Sequence, residues 1–194
     1  MTTEKIKPRE GLPTNAKCVF KGVIFEVWQW EQKMFDGTTE TFEKIWRYPT
    51  LEIIATVGDK IIIENQDQPD SKGNINLVSG RADKGDDIFE EAKRELLEET
   101  GCQSDNWNLF MKHKISAKIL HDICYFIARD CKKIQEPNLD AGERIETKLV
   151  TFDEFLLLTD EPKFWVAPQF VNLMLRARFD EKKKEELRRI IFGG

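Results

Sequence analysis

Histidine and cysteine are scarce. His113 and His121 are the two histidines, and Cys18, Cys102, Cys124 and Cys131 form no CxxC pair. That removes zinc-site spacing from consideration and suits reduced thiols in a cytosolic protein. Long apolar runs are missing too: none reaches the ~18 residues a membrane span requires. The polar opening MTTEKIKPREGLPTNAK lacks the apolar stretch of a secretory leader, so the expected location is cytoplasmic, with no membrane partner. An excess of basic charge is also absent. Against 30 Lys plus Arg stand 35 Asp plus Glu, a formal charge of -5. That balance is a poor match for general nucleic-acid binding, which needs a basic footprint to release counterions. A phosphate-bearing partner then requires a local basic patch or a bridging cation.

What is present is a chain of 194 residues, 40% hydrophobic and 34% charged. That suffices for one domain, or one domain with an appended element. No internal repeat or low-complexity tract is visible. CVFKGVIFEVWQW, 18–30, is rich in Val, Phe, Ile and Trp and predicts a strand with an irregularity at Gly22. A turn at Asp36-Gly37 leads to a return strand over 41–47, giving an N-terminal β-meander. LEIIATV (51–57) and KIIIENQ (60–66) flank Gly58-Asp59 as a hairpin, and INLVSG (75–80) predicts another strand. From Asp87 to Thr100 the period changes to helical, with Asp86 as the expected N-cap and Gly101 as the stop. Strands are expected again over 107–115, 121–129 and 144–152, and helices over 152–158, 167–179 and 181–191. This order, without regular βαβ spacing, predicts an α+β architecture with a mixed sheet rather than a doubly wound fold. The division expected is 1–47 as a β extension and 48–194 as the main domain.

The chemically informative stretch is GRADKGDDIFEEAKRELLEETGC, 80–102. On a helical wheel Glu91, Glu95, Glu98 and Glu99 fall within one wedge beside the apolar Phe89, Ala92 and Leu96. Like charges at i,i+4 disfavour a helix by roughly 0.2–0.5 kcal/mol per pair when solvated, and more near a core. Lys93 and Arg94 are placed to offset part of this. A hard divalent cation, taking carboxylate, carbonyl and water oxygens, would offset the rest.

Gly80, five residues, Asp86, seven residues, then Arg94-Glu95-Leu96-Leu97-Glu98-Glu99-Thr100-Gly101-Cys102 is similar to the signature of the Nudix hydrolases. It departs only in Asp for the first Glu and Cys for the last aliphatic residue. The resemblance implies an α/β/α sandwich and Mg²⁺ (or Mn²⁺) as cofactor. It implies metal ligation by Glu95 and Glu99, assisted by Glu98, with the Ser79 carbonyl as a further ligand. Arg94 would orient a carboxylate, and Asp86 would cap the helix.

LVSGRADKGDD is further similar to the ADP-ribose and nucleotide-sugar pyrophosphatase branch, in which N-terminal strands help build a homodimer. That branch has an acidic loop before a late strand. Here LDAGERIETKLV makes Glu143 the candidate base, with Glu146 and Asp140 in reserve. Two departures concern the substrate: no proline stands near 116–118, and Gln66 and Gln68 occupy a region where many members carry Arg. Gln66, Gln68, Gly80 and Arg81 are candidate substrate contacts. Trp28 and Trp30, on one face of their strand, either stack on a base or pack internally. The activity implied is hydrolysis of a nucleoside diphosphate linked to another group. The alternatives are a dinucleoside polyphosphate, NADH or a capped RNA end as substrate, or a nucleotide sensor without catalysis.

Overall fold

The structure, a computed structural model, describes residues 9–82 and 87–194. Its strands are β1 (Lys17–Lys21), β2 (Glu26–Lys33), β3 (Thr39–Trp46), β4 (Thr50–Val57), β5 (Lys60–Gln68), β6 (Ser71–Asn76) and β7 (Val78–Arg81). Helix α1 (Ile88–Thr100) follows, then β8 (Cys102–Gln103), β9 (Asn106–Lys114), β10 (Ile119–Leu120), β11 (Asp122–Arg129), β12 (Lys132–Lys133) and β13 (Arg144–Thr151). Three helices close the chain: α2 (Phe152–Leu157), α3 (Pro168–Phe179) and α4 (Glu181–Phe192).

The main sheet runs β13-β5-β4-β11-β9, with β6 added to β5 and β7 to β4. Among its described strands only β4 and β11 pair in parallel. Their text is apolar almost throughout because both faces are covered. Along β11, Cys124, Phe126 and Ala128 join Leu51, Ile53, Ala92, Leu96 and Trp107 in the core beneath α1. The alternate residues, Ile123, Tyr125 and Ile127, join Ile54, Phe155, Phe170, Met174 and Leu187 beneath the C-terminal helices. One sheet with helices on both faces is the α/β/α sandwich expected. Arg129 ties the end of α4 to the sheet through the carbonyls of Ile190 and Ile191, at 2.6 and 2.9 Å.

Two expected strands turn out to be pairs. The 18–30 stretch is a hairpin: β1 and β2 are antiparallel from Lys21↔Glu26 outward, and the Gly22 N–H donates to the Phe25 carbonyl at 2.8 Å. Apolar β-favouring residues fill the turn as well as the strands, so composition alone hid the reversal. Val23 is fully exposed there. The 75–80 strand is likewise broken at Leu77. β6 pairs with β5 while β7 pairs with β4, so this segment crosses from one partner to the other. β4 and β5 pair with each other only at Thr56↔Ile61 and Val57↔Lys60. Beyond that point they diverge, and the gap opens toward α1. The N-terminal sheet, β1-β2-β3, takes its fourth strand from β10, parallel to β3.

His121 is buried between these two sheets and shares a hydrogen bond of 3.0 Å with the Thr50 hydroxyl. Burial and the charge of Arg47 bring its imidazole down to about 4, against the opposing pull of Asp122. The folded protein therefore keeps His121 neutral where the unfolded chain, near its ordinary 6.5, takes a proton. The stability this contributes is present above ~6.5 and is lost as pH falls towards ~4, by at most ~3 kcal/mol. Urea unfolding at stepped pH should show that fall in the wild type and a smaller one in His121→Gln. Identical slopes would place its origin elsewhere.

Candidate active site

Helix α1 begins at Asp87, whose carboxylate accepts from the Phe89 N–H at 2.9 Å. The cap is thus one residue later than expected, and Asp86 lies outside the described residues. The helix ends at Gly101, in the left-handed region with φ 71°, its N–H bonded to the Leu97 carbonyl. Ala92 and Leu96 bind the helix to the sheet, and this docking buries Glu91 and Glu99 along with them. Arg94 is held among the acids: its guanidinium donates to Glu91 at 3.0 Å and also to Glu95 and Glu98. Burial opposes the Arg94 charge, but the Glu91 hydrogen bond and the charges of Glu95 and Glu98 outweigh it and raise the pKa. Lys93 instead pairs with Glu90 at 2.8 Å and lies over the Phe89 ring.

The glycine of the motif has a steric reason. A Cβ on Gly80 would fall on the Glu95 carboxyl group, so β7 runs directly against that side chain, which must shift to admit any substituent. Next to it the Ser79 N–H donates to Glu99 Oε2 at 3.0 Å. Gly101 has a comparable reason: its added Cβ would stand 2.0 Å from the Gln135 carbonyl. The chain after β12 is laced onto the end of α1 by the N–H groups of Ile134 and Gln135 to Gly101 O, and of Asn138 to Glu98 O. That lacing delivers Asp140 and Glu143 to the helix.

The result is a cleft of about 360 Å³. One group of lining residues is acidic: Glu95, Glu98 and Glu99 from α1, with Asp140 and Glu143 from the laced loop. Arg47 and Arg81 line it with positive charge, and Gln66, Gln68, Thr50 and Asn138 with neutral polar groups. A larger cavity of about 460 Å³ lies against the other flank of α1, by Phe89 and Trp107. Among the described residues it gathers no comparable set of acids, so the smaller cleft is the candidate site.

Two carboxylates beneath the cleft carry much of its electrostatics. Burial pushes Glu52 up to about 8. Burial, then the charges of Glu143, Glu52 and Glu95, push Glu64 well above the usual range. Burial and the charge of Glu64 likewise raise Glu99, against the Ser79 hydrogen bond. On the basic side, burial and the charge of Arg81 lower Arg47, whose buried Nε has no hydrogen-bond partner among the described residues.

Of the residues expected from sequence, Gln66, Gln68, Ser79, Gly80, Arg81, Glu95, Glu98, Glu99 and Glu143 meet in this cleft. Arg94 stands behind it, holding the glutamates. Glu146 is exposed on β13 opposite Asn65 and is not among the lining residues. Trp28 and Trp30 belong to the N-terminal sheet and are not brought to the cleft: Trp28 donates to Glu26 at 2.9 Å, and Trp30 donates to Gln32 and packs edge-on against Phe42. Sequence reasoning missed Arg47, Thr50, Glu52, Glu64 and Asn138. The available signal was Glu52 within LEIIATV and Glu64 directly after the three isoleucines of KIIIENQ.

The donor set fits a hard divalent cation. The Glu64 carboxylate oxygens and Glu52 Oε2 are buried without hydrogen-bond partners among the described residues, and buried carboxylates require a proton, a cation or a pairing group. Among the described residues no three acidic, histidine or cysteine side chains converge tightly enough to enclose an ion as they stand. Arg94 supplies the countercharge to the helix instead.

A family model described as NUDIX domain matches residues 53–170. Among curated proteins, the methanol dehydrogenase activator of Bacillus methanolicus is 23% identical over 164 residues, 80% of this chain and 89% of that protein. A solved structure described as "Crystal structure of ADP compounds hydrolase" superposes with a TM-score of 0.70 at 18% identity, covering 90% of this chain and 95% of that one. This likeness shows the fold.

Glu52 sets a sign that can be measured. Its folded carboxyl keeps a proton that the unfolded chain releases near 4.5, so its contribution is full below that pH and lost as pH rises through about 8. Glu52→Gln should therefore melt higher than wild type at pH 9 in chelator, with no advantage at pH 4.5; an equal advantage at both would refute the assignment. Gly80→Ala should leave the melting temperature within a few degrees, because the clashing atoms end a flexible side chain. It should displace the Glu95 carboxylate and lower divalent-cation affinity in titration calorimetry. Unchanged affinity would separate Gly80 from the cation site.

Proposed function

The chain belongs to the NUDIX family, and from that premise we propose that it hydrolyses the pyrophosphate bond of a nucleoside diphosphate joined to a second group. ADP-ribose or a nucleotide sugar is the substrate class, and a nucleoside monophosphate and a sugar phosphate are the products. The observation that carries this reading is the cleft's composition: Glu95, Glu98, Glu99, Asp140 and Glu143 share about 360 Å³ with Arg47 and Arg81. A diphosphate needs positive charge on its oxygens, and the attacking water needs a base nearby.

Glu95, Glu98 and Glu99 would hold Mg²⁺ or Mn²⁺, which when bound supplies charge neutralisation to the diphosphate and a more acidic water. The residues of the chain do the rest. Arg47 and Arg81 pair with phosphate oxygens; a guanidinium suits this by presenting parallel N–H donors. Gln66, Gln68 and Asn138 offer amide donors and acceptors to the sugar or base. Glu143 stands on the loop laced to α1 and accepts the proton of the attacking water. As the water oxygen bonds to one phosphorus, the bridging P–O bond breaks and its electron pair leaves with the second phosphate. Arg94 keeps Glu95 and Glu98 oriented from behind.

The N-terminal hairpin supports a homodimer in this reading. Val19, Phe20, Val23 and Phe25 are all substantially exposed on β1 and its turn, and a second copy covering them would remove that apolar surface from water.

With ADP-ribose, nucleotide sugars, NADH and dinucleoside polyphosphates offered in Mg²⁺ or Mn²⁺, mass analysis should find a nucleoside monophosphate and a sugar phosphate. Glu99→Gln should lose at least the ~10–100-fold that removal of an outer-shell partner costs a metal site. Glu143→Gln should lose ~10²–10⁴-fold in kcat, the usual worth of a general base, with the fold retained by circular dichroism. Full turnover by Glu99→Gln, or by wild type in excess chelator, would overturn the reading.

A further inference from the structure

Beneath the cleft lies a carboxylate that the motif does not contain. Glu64 sits on β5 in register with Asn76 of β6 and Thr147 of β13, where β5 has already parted from β4. Its relative exposure is 0%, and neither carboxylate oxygen has a hydrogen-bond partner among the described residues. Alternate residues of a strand share a face, and Gln66 and Gln68 line the cleft. Glu64 is therefore the next residue inward on the face that forms the cleft wall.

Its surroundings are specific. The charges of Glu143 and Glu95 bear on it, and its own bears on Glu99. These residues come from three separate parts of the chain: α1, β5 and the loop before β13. A fully buried carboxylate with two unused acceptors is strongly disfavoured unless something with positive charge reaches it. Arg94 is already engaged with Glu91, Glu95 and Glu98. Mg²⁺ and Mn²⁺ sites are built from oxygen donors, and burial keeps these two clear of competing bulk water.

We propose that Glu64 is a further ligand of the divalent-cation centre, closing it from the sheet side while Glu95 and Glu99 close it from α1. This rests on the reading that those helix glutamates hold divalent cations. It adds a ligand from a strand the signature does not reach. It also accounts for a fully buried glutamate directly after Ile61, Ile62 and Ile63.

The test uses substrate-free full-length protein and Mn²⁺ alone, with binding followed by electron paramagnetic resonance of the free ion. Glu64→Gln keeps the shape of the side chain and removes its charge. It should bind Mn²⁺ at least tenfold more weakly, while its melting temperature in chelator equals or exceeds that of wild type. Glu185→Gln, exposed on α4, should bind as wild type does. Mn²⁺ affinity of Glu64→Gln within twofold of wild type would overturn the proposal. Should the variant fail to fold, wild-type crystals soaked in Mn²⁺ decide the question. A Glu64 oxygen at about 2.1 Å from the ion, a distance typical of small hard cations, upholds it, and an ion bound without Glu64 refutes it. Wild type that holds Mn²⁺ through Glu64 yet cleaves no nucleoside diphosphate would keep this ligand and remove the substrate reading. Cleavage with Glu64→Gln binding Mn²⁺ undiminished would do the reverse.

Discussion

Crowded carboxylates between α1 and the splayed strands are the constraint on which the rest of this structure depends. Glu91 and Glu99 are buried by the same docking that buries Ala92 and Leu96, so the helix cannot pack its apolar face without carrying acids inward. Glu52 and Glu64 meet them from the sheet. The chain answers part of this repulsion with Arg94, which spans three glutamates across two turns of helix. It answers another part with the Ser79 N–H on Glu99. Burial raises the proton affinity of Glu52, Glu64 and Glu99 as well.

The scaffold's irregularities are what make room for that cluster. β4 and β5 begin as a hairpin at Gly58, with φ 59°, and then separate so that β6 and β7 can attach to one each. Gly80 lets β7 approach Glu95, and Gly101 lets the loop carrying Glu143 lie against the end of α1. Both glycines sit where a neighbouring group occupies the place of a Cβ. Gly80 sets β7 against the Glu95 carboxylate, while Gly101, in the left-handed region, both ends α1 and admits the loop that carries Glu143.

Local spacing and non-local pairing divide what the sequence made legible from what it hid. The interval from Gly80 to Cys102 is local. A helix converts fixed spacing directly into a shared face, so Glu95, Glu98, Glu99 and Arg94 could be grouped from their positions in the chain alone. The hairpin at Gly58-Asp59 and the C-terminal helices were readable for the same reason, from turn residues and period. The reversal at 22–25 was not, because Val23, Ile24 and Phe25 have the composition of a strand while forming a turn. Nor was the break at Leu77, which depends on which neighbour each half pairs with. Glu52 and Glu64 were visible as letters, but strand alternation shows only which residues share a face. What that face meets is decided by long-range pairing, and Arg47 enters the cleft by the same non-local route. The Trp28 and Trp30 side chains share their strand with Glu26 and Gln32, and those local partners take up their N–H groups.

The basic side of the cleft mirrors the acidic one. Arg47 is depressed by burial and by the charge of Arg81, and its Nε lies buried without a hydrogen-bond partner among the described residues. Like charges are thus brought together twice within about 360 Å³, once as carboxylates and once as guanidinium groups. If internal pairing were the purpose, the stabler arrangement would set Arg47 against the buried glutamates. Instead Arg94 holds the helix acids from behind, and Arg47 carries its charge beside that of Arg81. The proposed occupant, a diphosphate accompanied by divalent cations, would answer both sets of charges: the cations would meet the carboxylates and the phosphate oxygens the arginines. The net acidity of the protein is then no obstacle to an anionic substrate, since a bound ion is the largest local charge in such a site and inverts the local preference. Acids gathered on one side of the cleft and guanidinium groups on the other are the terms that would select this class of occupant.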